Sequence, residues 1–127
     1  MSKYPVKEAL EAQKKAYAPY SGFKVGAALL CENGKVYKGC NVENASYPVS
    51  LCAERSAIAS AVADGNRSFK AIVIVGGDDY CFPCGMCRQA LAEFVDGDFR
   101  VVLVKNEKET KVYKLKELLP ECFVLDK

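Results

Sequence analysis

Val6, Ala9, Leu10, Gln13 and Tyr17 fall at near-helical spacing among lysines and glutamates, so Tyr4 to Tyr17 is predicted to form an amphipathic helix stopped by Pro19. From Phe23 the texture changes to "FKVGAALLCENGKVYKGCNVEN", two β-rich runs around Asn33-Gly34. That dipeptide predicts a hairpin, with antiparallel strands over roughly Lys24 to Cys31 and Lys35 to Asn41. In "SLCAERSAIASAVADG", Ser50 is the expected N-cap, the body is alanine-rich and Gly65 is the stop, which gives a helix opening with Cys52 and Glu54. "KAIVIVGG" is a continuous β-branched run, as expected of a strand buried on both faces. Behind Pro83 a second such helix is predicted over Cys84 to Phe94, opening with Cys84 and Cys87. "FRVVLVK" reads as another buried strand, "TKVYKL" as a short polar one, and "KELLPE" as a helical turn ended by Pro120. The order α-β-β-α-β-α-β-β-α predicts a three-layer α/β/α sandwich with a mixed sheet.

Composition narrows this picture. The 127 residues, half of them apolar, suit one domain spanning residues 1–127. The 18 basic and 16 acidic residues are scattered, without the block or stripe expected of a nucleic-acid or membrane partner. The charged start "MSKYPVKEALEAQKKAYAP" has no signal-peptide core, and no apolar run reaches the roughly 18 residues of a membrane span, so a cytoplasmic protein is expected. Seven cysteines is an odd count, which favours reduced thiols, some of them on a metal. With no histidine in the chain, any zinc site must use thiolates and carboxylates.

Both cysteine-bearing segments feed a loop into a helix start, where unpaired N–H groups and the helix dipole favour thiolates. Two cysteines three apart are by themselves a redox pair or half a zinc site. Cys84 and Cys87, at i and i+3, lie on one helix face and can share one ion, and Cys52 makes a third sulfur. Three sulfurs with an open fourth position describe a catalytic zinc. Cys52 and Glu54, at i and i+2, can converge only on something off the end of their helix. A carboxylate there would serve proton transfer to and from a metal-activated water. A competing reading adds Cys81 to close a four-thiolate structural site, which leaves Glu54 without a task. Cys31, Cys40 and Cys122 are expected to be small buried hydrophobes.

"CAE" at Cys52 to Glu54, followed by "PCGMCRQ" at Pro83 to Gln89, resembles the small homo-oligomeric cytidine deaminases, whose zinc ligands are all cysteine. "APYSGFKVGAAL", "GCNVENASYP", "CAERSAI" and "LLPECF" resemble the same family in order and spacing, so the likeness covers almost the whole chain. It implies a zinc-dependent hydrolytic deaminase of cytidine and deoxycytidine, acting in pyrimidine salvage, with one Zn²⁺ per chain on Cys52, Cys84 and Cys87. Glu54 would move protons between water, the ring N3 and the leaving ammonia. Phe23 would line the pyrimidine pocket, and Asn41, Val42 and Glu43 would meet the nucleoside, the Asn41 and Glu43 pair at the ribose hydroxyls. Tyr47 and Phe123 would enter the site of a neighbouring subunit in a homotetramer.

Three thiolates on one Zn²⁺ carry a net negative charge that opposes ionisation of water, so something must withdraw charge. Beside the helix N-termini, Arg55 is the expected donor to the sulfurs, and Arg88 a weaker one. Among other enzymes, a blasticidin-S deaminase shares the zinc motifs with a different sugar reader. A polynucleotide deaminase would need a basic stripe with interleaved aromatics. A reading of another class is a non-enzymatic zinc-stabilised module that binds nucleosides or a protein. Glu54 beside an open coordination position distinguishes the enzyme from that module.

Overall fold

The computed structural model describes residues 3–125. Its strands are β1 (Val25–Cys31), β2 (Val36–Cys40), β3 (Phe69–Gly76), β4 (Arg100–Val104) and β5 (Thr110–Lys114). They form one sheet in the order β2-β1-β3-β4-β5, in which β3 and β4 are parallel and the other neighbours antiparallel. The helices are α1 (Val6–Lys14), α2 (Ala53–Ala63), α3 (Gly85–Ala92) and the single turn α4 (Leu115–Leu118), with a short 3₁₀ turn at Tyr47–Val49. This is the expected element order and a mixed α/β sheet.

Alternation along the central strands builds two cores. Ala27, Leu29, Ile72, Ile74, Val101 and Leu103 point to one face, against Ala53, Ala57 and Ala61 of α2 and Leu91 of α3. Ala28, Val73, Val75, Val102 and Val104 point to the other, against Ala9 of α1. Both faces are covered, so the strands read as unbroken apolar runs. No helix among the described residues is long and apolar enough to cross a membrane.

Local chemistry departs from expectation in three places. α1 ends at Lys14, short of Tyr17, because the Tyr17 amide donates to the Asn41 carbonyl (2.9 Å) and its carbonyl accepts from the Glu43 amide (2.8 Å). At the hairpin, the Gly34 amide donates to the Cys31 carbonyl (3.0 Å) with Gly34 alone at positive φ (+89°). Glu32 and Asn33 therefore form the centre of the turn and Gly34 the left-handed residue after it, a bulged hairpin loop between strands close to the expected bounds. Ser50 does not cap α2: Cys52 does, in extended backbone, while the Ser50 hydroxyl accepts from the Asn44 amide (3.0 Å). Likewise Cys84 caps α3, which ends at Ala92 and not at Phe94.

One glycine decides how closely α2 approaches the sheet. A Cβ on Gly39 would lie 2.3 Å from the Ala53 carbonyl oxygen and 2.5 Å from the Ala57 nitrogen, both helix backbone that no side-chain adjustment can move. Gly39→Ala is expected to lift the first turn of α2 and cost about 3 kcal/mol of stability, the upper range for overpacking. A urea unfolding midpoint at or near that of the parent would contradict this.

Candidate metal centre

The N-termini of α2 and α3 bring three sulfurs together. Cys52 (φ −74°, ψ 152°) and Cys84 (φ −68°, ψ 167°) are the N-caps, and neither side chain caps its helix, so both sulfurs are free to face each other. Paired hydrogen bonds between Val42 and Leu51, both 2.9 Å, dock the segment just before Cys52 onto the chain that leaves β2. Cys87 follows in the first turn of α3 and is fully buried.

The Cys52 and Cys84 sulfurs are 4.0 Å apart, the Cys84 and Cys87 sulfurs 3.4 Å, and all three lie within 4.8 Å of one another. Zinc–sulfur bonds of about 2.3 Å at tetrahedral angles require sulfurs about 3.8 Å apart, so the donor set and its spacing fit one zinc ion. Among the described residues no other metal-binding cluster of His, Cys, Asp or Glu occurs. A hydrogen bond from Cys87, followed by bonds from Arg55 and Cys84, pulls the Cys52 thiol down to about 5 against the effect of its burial. The same bond to Cys52, together with burial, raises Cys87.

Glu54 is the one buried charged residue among those described, 4% exposed. Burial raises its carboxyl, the Cys52 charge adds to that, and a hydrogen bond with Cys87 opposes it. Cys52 and Glu54 thus meet at the start of α2, where Cys52 is the N-cap in extended backbone and Glu54 feels both the Cys52 charge and a hydrogen bond with Cys87. Arg55 donates through Nη2 to the Cys52 sulfur at 3.5 Å, as expected, and that bond raises the guanidinium pKa. Its Nε is buried without a partner.

Arg88 does not serve the sulfurs. Its Nε donates to the Pro83 carbonyl (2.7 Å) and its Nη1 to the Leu118 carbonyl (2.6 Å). Cys81 stands outside the cluster, with its thiol pushed up to about 11 by burial and by the charges of Glu54 and Cys52. Of the three cysteines expected to be buried, only Cys31 is; Cys40 is half-buried and Cys122 exposed.

Of the remaining expected site residues, Glu43 and Tyr47 line a cleft of about 380 Å³ together with Tyr20, Ser21, Asn44 and Ser50, while Phe23, Asn41, Val42 and Phe123 lie outside its lining. Glu43 Oε1 accepts from the amides of Tyr20 (3.0 Å) and Ser21 (3.1 Å), and Oε2 accepts from the Ser21 hydroxyl. The hydroxyl bond, the largest effect, holds the Glu43 carboxyl below its usual range. Asn41 Nδ2 donates to the Phe23 carbonyl and Oδ1 accepts from the Val25 amide, both at 2.9 Å. Asn41 and Glu43 therefore clamp the loop that carries Phe23, whose ring lies against Gly77. Val42 is held by backbone bridges to Tyr17 and Leu51. Tyr47 is 74% exposed and Phe123 70%, the latter tied down by Gln89 Nε2 donating to its carbonyl (2.8 Å). Sequence reasoning passed over Ser21. Its signal was the Ser-Gly turn, since Ser21 Oγ also accepts from the Phe23 amide two residues on (3.0 Å).

Residues 1–105 match the family described as the cytidine and deoxycytidylate deaminase zinc-binding region. The chain is 45% identical over 119 residues to a cytidine deaminase of Sporosarcina psychrophila, covering 93% of this chain and 88% of that one. With a cytidine deaminase of Halalkalibacterium halodurans it shares 43% identity over 122 residues, covering 95% and 92% respectively. The crystal structure of cytidine deaminase from Burkholderia pseudomallei superposes with a TM-score of 0.90 at 46% identity, covering 97% of this chain and all of that one.

Proposed function

The chain belongs to the zinc-binding cytidine and deoxycytidylate deaminase family, and from that membership we propose that it hydrolyses cytidine and deoxycytidine to uridine and deoxyuridine with release of ammonia. The observation that supports this reading best is the three-sulfur cluster with the buried Glu54 carboxyl beside it. Cys52, Cys84 and Cys87 would hold one zinc, which when bound supplies a Lewis acid and lowers the pKa of a water molecule. Glu54 takes a proton from the attacking water as its oxygen bonds to C4, passes it to ring N3, and carries the second proton to the amino group as the C4–N bond breaks. Burial keeps solvent from competing for those protons.

The cleft beside Glu43 takes the sugar. An ionised carboxylate has about four acceptor positions, and backbone amides and Ser21 fill three, so one remains for a ribose hydroxyl. Asn41 keeps one amide N–H and one lone pair after serving Phe23 and Val25. Phe23 would face the pyrimidine. Tyr17, Tyr20, Phe23, Val42, Tyr47 and Val49 are large apolar side chains left exposed, and their burial between copies would suit a homotetramer in which Tyr47 and Phe123 complete neighbouring sites. The free thiols suit a reducing compartment, and we assign the protein to the cytoplasm.

An ultraviolet assay tests the activity. Cytidine absorbance should fall on adding zinc-loaded protein, deoxycytidine should behave alike, and blasticidin S and single-stranded DNA should be unchanged. Zinc-loaded protein inert toward both nucleosides would contradict the proposal.

Arg55 offsets the charge of the thiolates through its bond to Cys52. Removing that cation makes water harder to ionise, so Arg55→Ala should move the rising limb of the kcat/KM pH profile to higher pH at full zinc occupancy. Arg55→Gln, which still donates to sulfur, should move it less. An unmoved profile in both variants would leave the helix N-termini as the sole counter-charge.

A further inference from the structure

Arg88 grips the two peptide carbonyls that bracket the Cys84 residue. Its backbone amide donates to the Cys84 carbonyl (3.0 Å), and its Nε donates to the Pro83 carbonyl (2.7 Å). The rest of the loop entering Cys84 is braced from the side: Phe82 packs on Tyr113 of β5 with ring centroids 5.5 Å apart, and Lys111 lies 4.6 Å above the Tyr80 ring. These contacts hold side chains. The Arg88 bond holds the peptide next to the ligand, and Pro83 itself is fully buried, so no water can substitute.

The other end of the same guanidinium reaches across the fold. Nη1 donates to the carbonyl of Leu118, the last residue of α4, which has no acceptor role inside its single turn (2.6 Å). Beyond it the chain turns sharply, with Glu121 in the left-handed region at φ 53°, and the next residue of α3, Gln89, takes the Phe123 carbonyl at 2.8 Å. Adjacent residues of one helix turn thus hold the metal loop and the C-terminal segment. The guanidinium is a rigid planar fork with several donors, so the two carbonyls cannot move independently while both bonds stand. Bonds from a charged donor are about twice as strong as neutral ones.

We propose that Arg88 is a positioning residue that couples Cys84 to the segment 118–123, so that one side chain sets both metal retention and the pose of the tail carrying Phe123. This rests on the reading of Cys84 as a zinc ligand. It gives the arginine of "PCGMCRQ" a task distinct from counter-charge to the sulfurs, the role Arg55 fills.

Zinc release to a chromogenic chelator and amide exchange, followed separately in 83–87 and 118–125, test the coupling. Arg88→Ala should release zinc at least tenfold faster and speed exchange in both segments together. Arg88→Lys has no planar fork to span both carbonyls, so it should restore one segment and leave the other loose. Gln89→Ala should loosen the tail while zinc release stays at the parent rate. If Arg88→Ala loosens only the tail, or leaves both readouts at parent values, the coupling is wrong. If that variant does not fold, Arg88→Lys decides, since parent values in both of its segments would equally overturn the proposal. A parent protein that binds no zinc would instead overturn the reading of Cys84, and the exchange data would still test whether the two segments move together.

Discussion

Glu54→Gln is expected to keep one zinc per chain and to lose turnover by a factor of roughly 10² to 10⁴, the usual contribution of a positioned acid–base group. Glutamine has the same shape, fills the same 4%-exposed niche and leaves all three sulfurs untouched. It can donate and accept hydrogen bonds but cannot take a proton from water or deliver one to ring N3. The loss should fall on kcat, with KM changing little, because sugar recognition lies at Asn41 and Glu43. The pH dependence gives an independent readout. Burial raises the Glu54 carboxyl above its unfolded value, so in zinc-stripped protein the folded state holds this proton more tightly than the unfolded state. Its contribution to stability is therefore complete below the ordinary carboxyl range, near pH 4, and declines as pH rises through the raised folded value. Glu54→Gln should remove that decline. Metal content and steady-state kinetics at several pH values check both parts, and a zinc-loaded variant with parent turnover would end the proposed role.

The layout of the molecule was legible because its central strands leave little choice. "KAIVIVGG" and "FRVVLVK" are apolar at every step, a pattern that only a sheet covered on both faces can bury, and α1 and α2 supply those covers. The sulfur cluster was legible for a similar reason, since i, i+3 cysteines at a helix start have few places to point. What local reasoning missed depends on partners far along the chain. α1 stops where Asn41, from the other side of a hairpin, captures the Tyr17 amide. Ser50 has the better N-cap propensity, yet its hydroxyl is taken by Asn44 and the Val42 to Leu51 pairing carries the helix start two residues on to Cys52. Arg88 sits beside a ligand in sequence, but its donors are claimed by Pro83 and Leu118. Glu43 looks free in "NVEN", whereas most of its acceptor capacity organises the loop at Tyr20 and Ser21. In each case a hydrogen bond made by the fold overrode a local preference, through partners more than twenty residues away for Tyr17, Arg88 and Glu43 and through the neighbouring loop for Ser50.

Cys87→Ala should lose both metal and activity. Its sulfur is fully buried, 3.4 Å from that of Cys84, the chain has no histidine, and the one carboxyl beside it, Glu54, is already committed to proton transfer, so replacing the sulfur with it would still cost activity. Two sulfurs leave zinc with two weakly held water positions, and an ion bound that way does not survive dialysis against a mild chelator. The variant should also melt at lower temperature than the zinc-loaded parent, because metal binding free energy is coupled to folding. Zinc-stripped parent is the proper reference for the fold alone. Cys81→Ala is the matched comparison: it removes a sulfur from the same loop, but one held as a thiol by burial and by its acidic neighbours. It should retain one zinc per chain and near-parent turnover. Metal analysis of the two variants side by side separates a three-sulfur centre from a closed four-sulfur one. Zinc lost from Cys81→Ala would mean that Cys81 swings into the cluster when metal binds, which fills the fourth position and removes the place where water and Glu54 must meet.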